Sequence, residues 1–264
     1  MKAGRLPDAV RLIFPLQCGS IPLMENFFTL EQALPPDAGF ALWGGAHLFA
    51  LALCCALGAL LCLCYRRLGR TGRRRLRLGV GWAVLGCEAL QDINLIVQGA
   101  FGLAYLPLHL CAIAEFFTFF HALRPGRTLG NFLYSCCMPG AAFALLFPDW
   151  TVYPITSYHS LIGFSVHTLL VAYPLMLLLS GSLRPELRLL PRCFGILAAI
   201  SLAVYVFDRL FQTNYMFLRY PAPGSPLEWF AEYLGNPGYL LGYLPMLALV
   251  WAALYLPLWL FGKR

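Results

Sequence analysis

The chain has 264 residues, 60% of them hydrophobic and 12% charged, with a mean hydropathy of +0.70. Soluble domains carry about 25% charged residues, so the composition excludes a soluble globular protein and points to an all-α polytopic membrane protein. The formal charge of +7 sits largely in loops between apolar segments, which is a topology signal and not a nucleic-acid surface, so no nucleic-acid partner is expected.

Residues 1–38 read as an N-terminal tail carrying Lys2, Arg5, Arg11, Glu25, Glu31 and Asp37, ahead of a single membrane domain over 39–264. Its apolar patch at Val10–Leu16 is short, is broken by Pro15 and has no small-residue cleavage site after it, so it does not read as a signal peptide. Met24 is a plausible internal start, with the residues before it an upstream extension.

Apolar windows bounded by Gly, Pro and charge then predict seven transmembrane helices, at 40–64, 77–98, 104–122, 130–147, 156–180, 193–211 and 237–260. With the N-terminus outside and the C-terminus cytoplasmic, fourteen of the nineteen basic residues fall on the inner side, seven of them between Arg66 and Arg77. Pro139-Gly140, Pro174 and Pro245 are expected to weaken or kink their helices. Segment 212–236, rich in Pro and aromatics, becomes an outer loop that lies in the interface and could act as a lid. No internal repeat is visible, which leaves an inverted-repeat transporter without direct support. The localisation read from this is a multi-pass protein of a bacterial inner membrane or a eukaryotic internal membrane.

The ten cysteines include no C-x-x-C pair and no zinc spacing, so neither a disulfide framework nor a metal site is expected, and no cofactor. Most of them read as small apolar fillers.

The polar residues inside the spans are less easily dismissed. An ionisable side chain at mid-membrane costs on the order of 2.5–3.5 kcal/mol on insertion scales and usually faces a bundle interior. The third window alone holds His109, Cys111, Glu115 and His121. With the topology above, His47, His109, Cys111 and His159 lie toward the outer face, with His167 nearer the middle. Glu88, Gln91, Asp92 and Asn94 fall in the same half, and Asp208 and Asn214 at the outer end of the sixth span. Glu88, Gln91 and Asp92 share a helix face, as do Cys111 and Glu115, whereas two-residue spacing sets His109 about 200° from Cys111 on a regular helix. A base for Cys111 must then come from His47, His159 or His167. A thiol needs such a neighbour or a helix N-terminus to ionise, and Cys111 lies shortly after Pro107, a residue favoured in first turns.

Several stretches, in order, resemble the YwaF-type integral membrane family, in which the transmembrane protein 164 branch falls. They are Leu106-Pro-Leu-His-Leu-Cys111, Ala144-Leu-Leu-Phe-Pro-Asp149, His159 to His167, and Thr213-Asn-Tyr-Met-Phe-Leu218 followed by Pro221, Ser225-Pro-Leu and Leu234-Gly235. The resemblance covers roughly residues 40–260. It implies a cysteine-dependent lipid acyltransferase or acyl-ester hydrolase acting on a membrane phospholipid or fatty-acyl ester, with Cys111 matching the nucleophile and His167 the histidine partner. Under it, His47, Glu88, Asp92, His109, Glu115, His159, Asp208, Asn214 and Tyr215 are supporting or substrate-binding candidates, and His109 or Asn214 could stabilise an oxyanion. Two departures stand out: Asp208 occupies a position where the family pattern leads one to expect Asn, and Glu115 adds a carboxylate four residues after the cysteine. The competing readings are a proton-coupled carrier, with Glu88, Asp92, His47 and His167 as a relay, and a non-catalytic lipid-binding protein. Apart from His121 the inner halves of the predicted spans hold almost no titratable group, which weighs against the carrier.

Overall fold

The computed structural model describes residues 26–222 and 225–261; the expectations for the first residues of the tail lie outside that range. The described residues are all-helical: α1 (Gly45–Arg67), α2 (Arg70–Val97), α3 (Leu110–Leu123), α4 (Arg127–Phe132), α5 (Met138–Leu146), α6 (Tyr158–Leu179), α7 (Leu190–Phe211), α8 (Leu227–Leu234) and α9 (Tyr243–Phe261), with short 3-10 turns between some of them. Six helical stretches among the described residues are long and apolar enough to cross a membrane.

The third predicted window departs from that pattern. Its helix is only the 14 residues of α3, about 21 Å long against a bilayer core of about 30 Å. The cause is local: Pro107 has no amide hydrogen and disfavours helical backbone at Leu106, which is extended at φ −67°, ψ 149°. The chain therefore runs as a 3-10 turn (Leu103–Tyr105) and an extended stretch before His109 caps α3. His109 is thus not a helical residue, and Pro107 precedes the first turn instead of occupying it.

The fourth window is continuous but irregular, passing from α4 through a π-helical segment (Leu133–Cys137) into α5. Pro139 cannot donate to the carbonyl four residues back, that of Ser135, and the freed oxygen accepts the Trp251 indole N–H of α9 at 3.1 Å. The proline's cost is offset by a helix–helix tie. Pro174 does lie inside α6, and Pro257 inside α9. Pro245 falls instead in the first turn of α9, where its missing donor has no intrahelical acceptor to lose.

The bundle closes around α6, which packs along α1, α2 and α5. In lipid there is no hydrophobic drive between helices, so close approach through small residues carries much of the association. A Cβ built on Gly81 of α2 would lie 3.1 Å from the Ala122 Cβ and 3.2 Å from the Phe119 Cα of α3. At the basic end, Glu186 accepts hydrogen bonds from Arg127 and Arg188, and its amide donates to Asn131 Oδ1 at 2.8 Å. These guanidiniums hold the Glu186 carboxyl below its ordinary range. The tie is therefore present above about pH 4.3 and is lost as pH falls through the lower folded value.

Replacing Gly81 with Val should wedge α2 from α3 and destabilise the protein by about 1–3 kcal/mol. Gly79→Val is the control, since a Cβ there meets nothing within 4 Å. Thermal unfolding in detergent should show a lower midpoint for the first and little change for the second.

Candidate functional site

Cys111 is the second residue of α3, in the turn where four amide hydrogens lack intrahelical acceptors and anionic groups are favoured. It is a half-buried free thiol with no hydrogen-bond partner among the described residues. The neighbouring α6 presents His167. The His167 Nδ1 lies 2.7 Å from the Gly163 carbonyl oxygen, one turn back. A carbonyl only accepts, so Nδ1 carries the hydrogen and the neutral ring keeps its lone pair on Nε2, which has no partner among the described residues. Trp150 stacks on the same ring at 5.0 Å between centroids and 29° between planes. That stack depends on Gly163, where a Cβ would come 2.9 Å from the indole.

His109 is fixed in the opposite sense. Its Nδ1 accepts the Met216 amide N–H at 3.3 Å, so the neutral ring carries its hydrogen on Nε2. The ring also meets Tyr215 edge-on at 5.0 Å and Phe217 at 6.0 Å. The Leu106–Cys111 and Thr213–Leu218 stretches, about a hundred residues apart in the sequence, are therefore in contact.

The segment that holds His109 is itself tightly held. Tyr215 Oη donates to the Leu103 carbonyl at 2.6 Å and accepts the Leu106 amide at 2.8 Å, filling the backbone groups that the broken span leaves open. Burial pushes the Tyr215 phenol up, which keeps it a donor. Asp208 Oδ1 accepts the Thr213 hydroxyl at 2.6 Å and the Tyr215 amide at 2.9 Å, while its buried Oδ2 has no partner. Met216 and Phe217 both have left-handed backbone, at φ 52° and 54°, a conformation costing non-glycine residues about 1–3 kcal/mol each. Their carbonyls accept the hydroxyls of Tyr243 and Tyr239 at 2.9 and 2.8 Å.

A third group lies on the α2–α3 seam. Glu115 is 2% exposed and its Oε2 has no partner. It interacts electrostatically with Glu88 and Asp92 across the seam and with Cys111 one turn away. Asp149 is within electrostatic range of His109, Cys111 and His167 alike. Its role was not visible in the sequence, although it ends the Ala144–Asp149 stretch. Tyr239, Tyr243, Trp150 and Gly163 were missed because nothing in their local pattern marks them.

The remaining sequence candidates serve elsewhere. His47 is fully buried and spends both nitrogens on structure, Nδ1 accepting the Trp43 amide at 3.1 Å and Nε2 donating to the Leu145 carbonyl at 3.0 Å. His159 stacks on Tyr153 at 4.5 Å. Asn214 is committed to its own loop, its Oδ1 accepting the amides of Arg219 and Tyr220 and its Nδ2 donating to the Tyr220 carbonyl. Among the described residues no group of three or more His, Cys, Asp or Glu side chains is placed to hold a metal ion.

Tyr215→Phe should free the Leu103 and Leu106 backbone groups and cost about 1–3 kcal/mol, seen as faster amide exchange over 103–109 and 213–218. Asp208→Asn keeps an acceptor at Oδ1 and should leave that exchange nearly unchanged, while Asp208→Leu should not.

A model of the TMEM164 family matches residues 42–262, from the approach to α1 to the end of α9. No curated protein and no solved structure matches the chain. The family match spans most of the sequence and every helix that builds the site, and the protein is a multi-pass integral membrane member of the TMEM164 family.

Proposed function

We propose that the protein is a membrane lipid acyltransferase or acyl-ester hydrolase in which Cys111 is the nucleophile, His167 the base and His109 the oxyanion donor. The observation that carries this reading is a pair of opposite histidine tautomers, a lone pair at His167 Nε2 and a hydrogen at His109 Nε2, with Asp149 within electrostatic range of both rings and of the uncommitted Cys111 thiol at the start of α3.

In the first half-reaction His167 Nε2 takes the Cys111 thiol proton and the thiolate adds to an acyl ester carbonyl, forming a C–S bond and a tetrahedral oxyanion. His109 Nε2–H donates to that oxygen. Collapse breaks the ester C–O bond, the leaving alkoxide recovers the proton from His167, and an acyl-thioester remains on Cys111. In the second half-reaction a lysophospholipid hydroxyl or water gives its proton to His167 and attacks the thioester. The acyl group leaves sulfur, and Cys111 is reprotonated. Asp149 favours the imidazolium that forms in each half.

The carrier reading keeps one observation of its own, the unpartnered Glu115 Oε2 beside Glu88 and Asp92. Proton flux in proteoliposomes that stops in Glu115→Gln and persists in Cys111→Ala would favour it.

Purified protein incubated with phospholipid and quenched in acid should carry an acyl mass on the Cys111 peptide, absent from Cys111→Ala. His167→Ala should slow its formation by about 10²–10⁴-fold. His109→Ala should lower kcat by about 10²–10³-fold with a smaller change in KM. Equal labelling of Cys54, Cys136 and Cys193 would remove Cys111 as nucleophile.

A further inference from the structure

The basic end of the bundle holds a second polar cluster that the acyl chemistry does not use. Tyr65, near the end of α1, is fully buried and its Oη has no hydrogen-bond partner. Arg73 Nε donates to the Tyr65 carbonyl at 3.1 Å, and its guanidinium lies 5.4 Å above the Tyr65 ring. Arg77 follows four residues later on the same face of α2, one turn deeper in the bundle. It is half-buried, its Nε is shielded from solvent, and that nitrogen has no partner. The close contact of Gly81 with Phe119 and Ala122 brings the His121 turn of α3 alongside the Arg77 turn. His121 is 4% exposed, with Nδ1 2.9 Å from the Tyr173 hydroxyl of α6. Arg77 is within electrostatic range of both His121 and Tyr173.

The sequence places Arg77 at the edge of the basic run, as the first residue of the predicted 77–98 span, and leaves His121 alone in the inner half. α2 instead begins at Arg70, so Arg77 is a bundle residue beside His121. A guanidinium does not deprotonate in a protein. Inside an apolar bundle an unpaired cation is unfavourable until an anion joins it. No carboxylate does: Arg77 has no ion pair among the described residues, and Glu186 is occupied by Arg127 and Arg188. The acids on α2 and α3 lie toward the other end, Glu88 being eleven residues or about 16 Å along the helix from Arg77.

We propose that Arg77, Tyr65 and the His121–Tyr173 pair bind a phosphate group, supplied by the headgroup of an anionic phospholipid or by free phosphate. The planar guanidinium offers paired donors that match phosphate oxygens, and the free Tyr65 hydroxyl adds a third. Arg77 lies seven residues, about 10 Å, from the start of α2, a depth that a headgroup phosphate reaches from the interface. Arg66, Arg67, Arg70, Arg74 and Arg75 surround the approach and concentrate anions there.

The test uses the full chain in neutral detergent, titrated with phosphatidate, with inorganic phosphate or with diacylglycerol, and read by thermal midpoint and by native mass spectrometry. Phosphatidate should raise the midpoint of the wild type and diacylglycerol should not. Arg77→Gln should weaken the response about tenfold, while Arg75→Gln, whose side chain is exposed, should change it less than about twofold. Without ligand, Arg77→Gln should be at least as stable as wild type, because it removes an unpaired charge. Tyr65→Phe, weakening binding with the fold intact, tests the site independently of that charge. A response to inorganic phosphate as well assigns the site to the free anion, and a response to phosphatidate alone assigns it to the lipid. No shift with either, or equal losses in Arg77→Gln and Arg75→Gln, overturns the proposal.

Discussion

Within a bilayer core no water completes a hydrogen bond, so each backbone group that leaves a helix must find a partner in the protein. The consequences of that constraint are concentrated where Pro107 interrupts what would otherwise be a long apolar helix. The non-helical run at 103–109 is sustained by one side chain, Tyr215, which donates to the Leu103 carbonyl and accepts the Leu106 amide. Tyr215 is in turn placed by Asp208, buried at the end of α7. The broken helix and the 213–218 loop are therefore conditional on one another. The loop has no reason to adopt two consecutive left-handed residues without the broken helix to hold, and the broken helix has no donor set without the loop.

The same constraint decides the histidine chemistry. A neutral imidazole in water exchanges between tautomers, but a ring facing a carbonyl must donate to it and a ring facing an amide must accept from it. Gly163 therefore leaves His167 with a free lone pair, and Met216 leaves His109 with a free hydrogen. Neither assignment needs a carboxylate partner, and among the described residues neither ring makes a carboxylate hydrogen bond. The same reasoning applies to Asp208. The loop uses only Oδ1 as an acceptor, an atom that Asn also possesses.

Hydropathy alone makes the long helices legible: the predicted 156–180 corresponds to Tyr158–Leu179 and the predicted 40–64 to Gly45–Arg67. What failed to show is what depends on distant partners. Nothing near Leu106 signals that a tyrosine 109 residues later will accept its amide, so an apolar run with one proline reads as a helix. The π-helical turn at Leu133–Cys137 is hidden for the same reason, since its irregularity is compensated by Trp251. Cys111 and His167 were singled out by family resemblance together with their apolar surroundings. The roles of Gly163, Trp150 and Asp149 required knowing which helix end meets which loop. Arg77 marked the edge of the predicted 77–98 span because charge trims a hydropathy window inward, whereas the α2 backbone continues through its basic first turns to Arg70.

Along the α2–α3 seam the ionisable side chains are sorted by type. Glu88, Asp92 and Glu115 occupy the part of the α2–α3 seam nearest Cys111, and Arg77 with His121 occupies the other end. Six residues separate Glu115 from His121, about 9 Å of helix, too far for direct pairing. The acids and the basic groups of one seam are held apart, each set toward a different end of the bundle. Such an arrangement is costly for a purely structural helix pair and natural for one that meets polar molecules at both ends. The carboxylates also restrict what the thiol can do, because a Cys111 thiolate one turn from an ionised Glu115 would be repelled by it.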